Sequence, residues 1–193
     1  GHPDRAAGDP AGLIVSNDGR QILAFAGVSE IAISDREADY FRRVAVGRRP
    51  AALMLGTKGR TIYVANMMDD SVSIVPIDAS SDVRSIQLGP PRELSLVEQG
   101  EQLFYDATLS SDGWLSCHSC HTDGHTNGRL NDNFGDGSVG APKRVLSLLG
   151  VGATGPWSWS GKVVRLEEQV RKSIRTTMRG EEPTHAQVAA LAA

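Results

Sequence analysis

Residues 9–89 repeat at a spacing of about 40, and a repeat of that length limits the segment to stacked copies of one small unit. Asp9-Pro10-Ala11-Gly12-Leu13-Ile14-Val15 returns as Arg49-Pro50-Ala51-Ala52-Leu53-Met54-Leu55. Asp18-Gly19-Arg20 returns as Lys58-Gly59-Arg60, and Gln21-Ile22-Leu23-Ala24-Phe25-Ala26 as Thr61-Ile62-Tyr63-Val64-Ala65-Asn66. Glu30-Ile31-Ala32-Ile33-Ser34 corresponds to Ser71-Val72-Ser73-Ile74-Val75, and each copy closes on a fourth run, 41–47 and 83–89. Four short strands divided by turn residues, in two copies, predict β-propeller-type blades.

The second copy, with Ile62-Tyr63-Val64-Ala65-Asn66 and Asp70-Ser71-Val72-Ser73-Ile74, resembles the YVTN-type propeller repeat. The first is degenerate, with Leu23-Ala24-Phe25-Ala26-Gly27 where the tyrosine and asparagine belong. A ring needs roughly four to eight blades. Two blades are therefore expected either to have further blades upstream or to pair with another chain through their open edges.

Pro90-Pro91 marks the expected domain boundary. The organisation predicted is a tail (1–8), two blades (9–90), and a helical domain (91–193). In the latter, apolar spacing predicts helices over Arg92–Tyr105 and Val163–Met178, the second with Leu166, Val170, Ile174 and Met178 every fourth residue. Gly180 and Pro183 end that helix, and Thr184 caps a last one over His185–Ala193. This helix stops among good helix formers, so the chain is expected to belong to a longer protein. Residues 122–140 read as a long loop rich in glycine, asparagine and aspartate.

The chain's only two cysteines lie in Cys117-His118-Ser119-Cys120-His121, the C-x-x-C-H pattern of covalent haem c attachment. Two thiols one turn apart can both reach one porphyrin edge as thioethers, and the next residue, His121, supplies the proximal ligand. A structural zinc site would need four ligands, and no second cysteine pair exists. A thioredoxin-like dithiol belongs in a βαβ context that the flanks lack. Asp132, Asn133 and Asp136 do not have EF-hand spacing and read as solvated turns. One covalent haem c is therefore the expected cofactor.

Gly100-Glu101-Gln102-Leu103-Phe104 resembles the first-helix pattern of class I cytochromes c, where a glycine lets the first and last helices cross closely. More widely, 100–180 resembles the N-terminal haem domain of the bacterial di-haem cytochrome c peroxidase family, which includes the methylamine-utilisation di-haem enzymes. The matching stretches are Leu103-Phe104-Tyr105-Asp106 with Leu109-Ser110, and Cys117–His121. They continue with Pro142-Lys143-Arg144, Ser147-Leu148-Leu149, Trp159-Ser160-Gly161-Lys162 and Leu166-Glu167-Glu168-Gln169. The resemblance implies an all-α class I-like cytochrome c domain, a tryptophan between two haems at Trp159, and an arginine near the haem propionates at Arg144. It also implies a second C-x-x-C-H, a distal histidine and a catalytic glutamate. Here Asp136 stands in the distal histidine's place, and Thr177, Met178 and Arg179 occupy the glutamate's neighbourhood. Without a distal base, peroxide heterolysis loses general acid–base assistance.

The function expected is single-electron transfer by one six-coordinate haem, as a relay within a larger di-haem peroxidase-like protein. Its partner would be a redox protein or a second haem domain. The alternatives are a peroxidase or oxidase domain with an open distal site, and a propeller binding module with a passenger haem domain. The sixth iron ligand is sought among Met178, His125, His118, His185, Met67 and Met68. Met178 is favoured because it ends the apolar stripe, 57 residues after His121. A net charge of −3 with no basic run argues against nucleic-acid binding. No stretch reaches the roughly 18 apolar residues of a membrane span. Haem c is attached after export, so a periplasmic or extracellular protein is expected, read here as a mature or trimmed form with Gly1-His2 as a cloning remnant.

Overall fold

A computed structural model describes residues 7–78, 82–132, 137 and 139–193. The chain divides into two compact units between Arg92 and Glu93. The first contains two four-stranded antiparallel sheets in simple meander order, β1 (Pro10–Val15), β2 (Gln21–Phe25), β3 (Glu30–Ser34), β4 (Phe41–Ala45), then β5 (Pro50–Leu55), β6 (Thr61–Asn66), β7 (Ser71–Pro76), β8 (Arg84–Gln87). Both sheets are open. The four runs of each sequence copy become the four strands of each sheet, because short runs rich in β-branched residues alternate with tight turns. The β1–β2 and β5–β6 turns need a positive φ, which Gly19 (90°) and Gly59 (66°) supply without a Cβ penalty.

One apolar core serves both sheets of this unit: Ile22, Ala24, Ile31, Ile33 and Val44 from the first, Ile62, Val64, Val75 and Ile77 from the second. Burial alternates along β6 and β7, as a sheet facing a core on one side requires. The repeat's asparagine is structural. Asn66 is buried and its Nδ2 donates to Ser71 Oγ (3.0 Å) and Ser73 Oγ (2.9 Å), pinning the end of β6 to β7. The first copy lacks this residue, and its β2 runs instead into a 3₁₀ turn, Ala26–Val28. Just before β1, the Gly8 carbonyl accepts a hydrogen bond from Gly27 N (3.1 Å). Residues 1–6 lie outside the described segments.

The second unit is built on α1 (Leu96–Phe104), α2 (Cys117–Cys120), α3 (Leu166–Lys172) and α4 (His185–Leu191). Ser95 and Glu98 form a capping box at α1, and Thr184 and Gln187 another at α4. The first helix therefore starts at Leu96, four residues later than the apolar pattern alone suggested. Gly100 faces α4, with the Ala190 carbonyl where a Cβ would stand. This is the close helix crossing expected from the glycine.

Two expectations need correction. The unit is not purely helical, since β9 (Leu130–Asn131), inside the segment read as a long loop, pairs antiparallel with β10 (Lys143–Arg144). The helix expected over Val163–Met178 is also shorter. Val163 exchanges hydrogen bonds with Trp157 (2.7 and 3.3 Å), so its backbone is committed to a β bridge. Helix α3 opens only at Leu166, and a π turn replaces it at Ser173–Thr177, with Met178 N donating to Ser173 O (2.9 Å). Among the described residues, no helix is long and apolar enough to cross a membrane.

Candidate functional site

The attachment turn is a single helical turn. Ser116, buried, receives it through Ser116 N donating to Ser119 Oγ (2.9 Å), and His121 N closes it on Cys117 O (2.9 Å). One turn places both half-buried sulfurs along one side, with His121 directly after the second. The two thiols and the imidazole do not converge on one point, and among the described residues no three His, Cys, Asp or Glu side chains do. That spread is wrong for a tetrahedral ion and right for a planar group held at its edge and centre.

A cavity of about 360 Å³ opens beside this turn, within the range of cofactor sites. Cys117, Cys120, His121, Arg144, Trp159 and Met178 all line it. The stripe Leu166, Val170, Ile174, Met178 lies along one wall. The π turn keeps it continuous, because its wider winding still returns every fourth residue to nearly the same face. Met178 is 6% exposed, whereas Trp159 is 50% exposed and is not a packed core residue.

His121 Nδ1 lies 2.9 Å from the Leu146 carbonyl oxygen. A carbonyl only accepts, so Nδ1 carries the proton and Nε2 is left with its lone pair for a metal. Burial pushes the His121 pKa below the ordinary imidazole value, against the opposing pull of hydrogen bonds to the backbone at Leu146 and His125. Both the tautomer and the neutral charge suit a ligand.

The other candidate ligands are placed elsewhere. His118 packs on Tyr105, ring centroids 4.8 Å apart, and its Nδ1 accepts from Asp123 N (3.2 Å). His125 Nδ1 is engaged with Ser147 Oγ at 2.6 Å. His185 begins α4, and Met67 and Met68 lie in the turn between β6 and β7 of the first unit. Asn133 and Asp136, the latter in the distal histidine's place, lie outside the described residues. Asp132 accepts from Gly140 N (2.6 Å), a loop-closing role.

The cavity wall carries Lys143, Arg144 and Lys172, and no carboxylate among the described residues that line it. That charge suits the propionates of a haem. Gln169 Oε1 is buried with no hydrogen-bond partner among the described residues, while its Nε2 donates to Ser173 Oγ (3.1 Å). The residues present therefore fit a covalently held haem. The Leu146 carbonyl and the Gln169 amide escaped the sequence reading: a backbone acceptor 25 positions away leaves no residue signal, and Gln169 sits in a helix whose composition is ordinary.

A family model described as di-haem cytochrome c peroxidase matches residues 95–193, half of the chain. The chain belongs to the di-haem cytochrome c peroxidase family. Within known members, cytochrome c551 peroxidase of Nitrosomonas europaea is 29% identical over 102 residues, covering 50% of this chain and 29% of that protein. The methylamine utilization protein MauG of Methylorubrum extorquens is 35% identical over 80 residues, covering 40% of this chain and 22% of that protein. The chain thus spans less than a third of the length of these family members. Among solved structures, hydrazine synthase of Kuenenia stuttgartiensis matches 46% of this chain and 26% of its own, at 25% identity and a TM-score of 0.41.

Proposed function

We propose that residues 93–193 carry one haem c and pass single electrons, as one relay of a larger di-haem peroxidase-like protein. The observation that carries this reading is that Met178 and His121 line one cavity with Cys117 and Cys120. Cys117 and Cys120 would hold the group as thioethers, His121 Nε2 would ligate its iron, and Met178 sulfur would be the second protein ligand. Bound there, the haem would supply a one-electron ferric/ferrous couple. Met178 is the one thioether and His121 the one imidazole among the described residues that line the cavity. Histidine–methionine ligation raises a haem's potential and closes the iron to peroxide, which suits a carrier. The chain's own work is to keep His121 neutral with Nε2 toward the cavity, to exclude water with the Leu166–Met178 stripe, and to neutralise propionates with Arg144 and the neighbouring lysines.

Trp159, half exposed at the cavity, would offer a route to an electron partner, which we read as a second haem domain or a redox protein. Thioether attachment of haem takes place outside the bacterial cytoplasm, so the reading carries export to the periplasm or beyond. The two open sheets we read as blades of a larger propeller, or as edges that pair with another chain. Their uncovered apolar side chains, Leu13 (60% exposed), Val15 (58%) and Met54 (61%), support this.

Absorption spectra test the central claim. The protein isolated with its haem should be low-spin with a methionine-to-iron charge-transfer band. Met178→Ala should make it high-spin and open to carbon monoxide. A parent protein that is already high-spin, or a variant that keeps the parent spectrum, would favour the catalytic alternative or another ligand.

A further inference from the structure

The carbonyl that orients His121 is itself held from both sides. Segments 124–129 and 145–148 are laced together around Leu146. Val145 N donates to Arg129 O (2.9 Å), Thr126 Oγ1 donates to Val145 O (2.7 Å), and Leu148 N donates to Gly124 O (3.1 Å). Ser147 Oγ meets His125 Nδ1 at 2.6 Å. The near strand of this lacing is anchored to the attachment turn, since Asn127 N donates to Cys120 O (2.9 Å) and Asn127 Nδ2 to Ser119 O (3.1 Å). The attachment turn and the acceptor of the His121 proton therefore belong to one hydrogen-bonded frame.

Leu146 is 47% exposed and lines the cavity, so the surrounding protein packs against it only in part. Position is imposed by its neighbours: the Val145 carbonyl on one side is taken by Thr126, and Ser147 on the other by His125. Both clamps use side-chain hydroxyls, a choice the backbone pairing alone does not require.

We propose that Thr126 and Ser147, the latter through His125, are positioning residues that set the strength of the His121–Leu146 hydrogen bond and so the reduction potential of the haem. The inference rests on the proposed haem attachment. The physical link is direct. A proton drawn firmly toward the Leu146 oxygen leaves more electron density on the His121 ring, and a more basic ligand favours ferric iron. Loosening the carbonyl should raise the potential. Second-shell partners of a ligating histidine typically change metal-site properties by about tenfold or more. A tenfold change in a one-electron equilibrium corresponds to about 59 mV.

The test is potentiometric titration of the intact haem-loaded protein, with spectra recorded alongside. Ser147→Ala and Thr126→Val should each raise the midpoint potential by the equivalent of about tenfold while the spectrum stays low-spin. Ser147→Thr and Thr126→Ser, which keep the hydroxyls, should return it to the parent value. Unchanged potentials in Ser147→Ala and Thr126→Val overturn the inference, even if both variants melt earlier, because a merely structural clamp would move only the melting temperature. A shift accompanied by loss of the low-spin spectrum also overturns it, placing the effect at the second axial ligand. If the parent protein carries no covalent haem, the attachment reading fails, and the inference fails with it.

Discussion

Gly100→Ala puts the helix crossing to a test in which two principles predict opposite signs. By intrinsic propensity, alanine in a helix interior is favoured over glycine by about 1 kcal/mol. In the folded unit, however, a Cβ at Gly100 would lie 2.7 Å from the Ala190 carbonyl carbon, with the oxygen closer still, where ordinary contact begins at 3.4 Å. The helices would have to separate by at least the 0.7 Å between those distances. The obstacle is backbone, which cannot swing aside as a side chain can. Overpacking costs about 1–3 kcal/mol, and a rigid backbone obstacle belongs at the top of that range. Subtracting the propensity gain leaves a net loss of about 2 kcal/mol. For a unit of this size that is a fall in melting temperature of roughly 8–16 °C. Thermal unfolding of the haem-loaded protein, followed in the far ultraviolet and in the haem band, reads it. A variant as stable as the parent, or more so, would show that α1 and α4 do not cross at Gly100.

Other outcomes follow from the same structure. Cys117→Ala with Cys120→Ala should abolish retention of haem after denaturation in acid-acetone, whereas the parent protein should keep it. Asn66→Ala would leave the buried hydroxyls of Ser71 and Ser73 without their shared donor, and should destabilise the first unit by about 2 kcal/mol in urea unfolding. Gly180→Ala should also destabilise, because a Cβ there would meet the Leu109 carbonyl carbon at 3.0 Å, read as an earlier melting transition. The Asp18 pKa is lowered below its ordinary 3.8, first by the hydrogen bond from Ser16 and further by Arg20 and Arg36. A depressed carboxylate contributes stability above its unfolded pKa and loses it as pH falls through the folded one. The first unit should therefore weaken on the acid side of 3.8, and Asp18→Asn should flatten that limb of a stability–pH profile.

Whatever depends on neighbours in the chain was legible before folding. The C-x-x-C-H pattern places two sulfurs and an imidazole on one helical turn by covalent spacing alone. The four runs of each repeat become four strands because hairpins are local, with Gly19 and Gly59 supplying the positive φ their turns need. Thr184 caps the last helix through a residue three positions away. The stripe ending at Met178 was visible as a period, and the fold turns it to the cavity. Tertiary structure alone decided the rest. Helix α3 starts late because Val163 spends its backbone bonds on Trp157, and the β9–β10 ribbon forms because residues a dozen positions apart happen to meet. The acceptor for His121 is a main-chain oxygen, identical in every residue type, so only the path of the chain could select Leu146. Side-chain pattern records which faces are apolar and which groups can react; it carries no record of which carbonyl a distant loop will present.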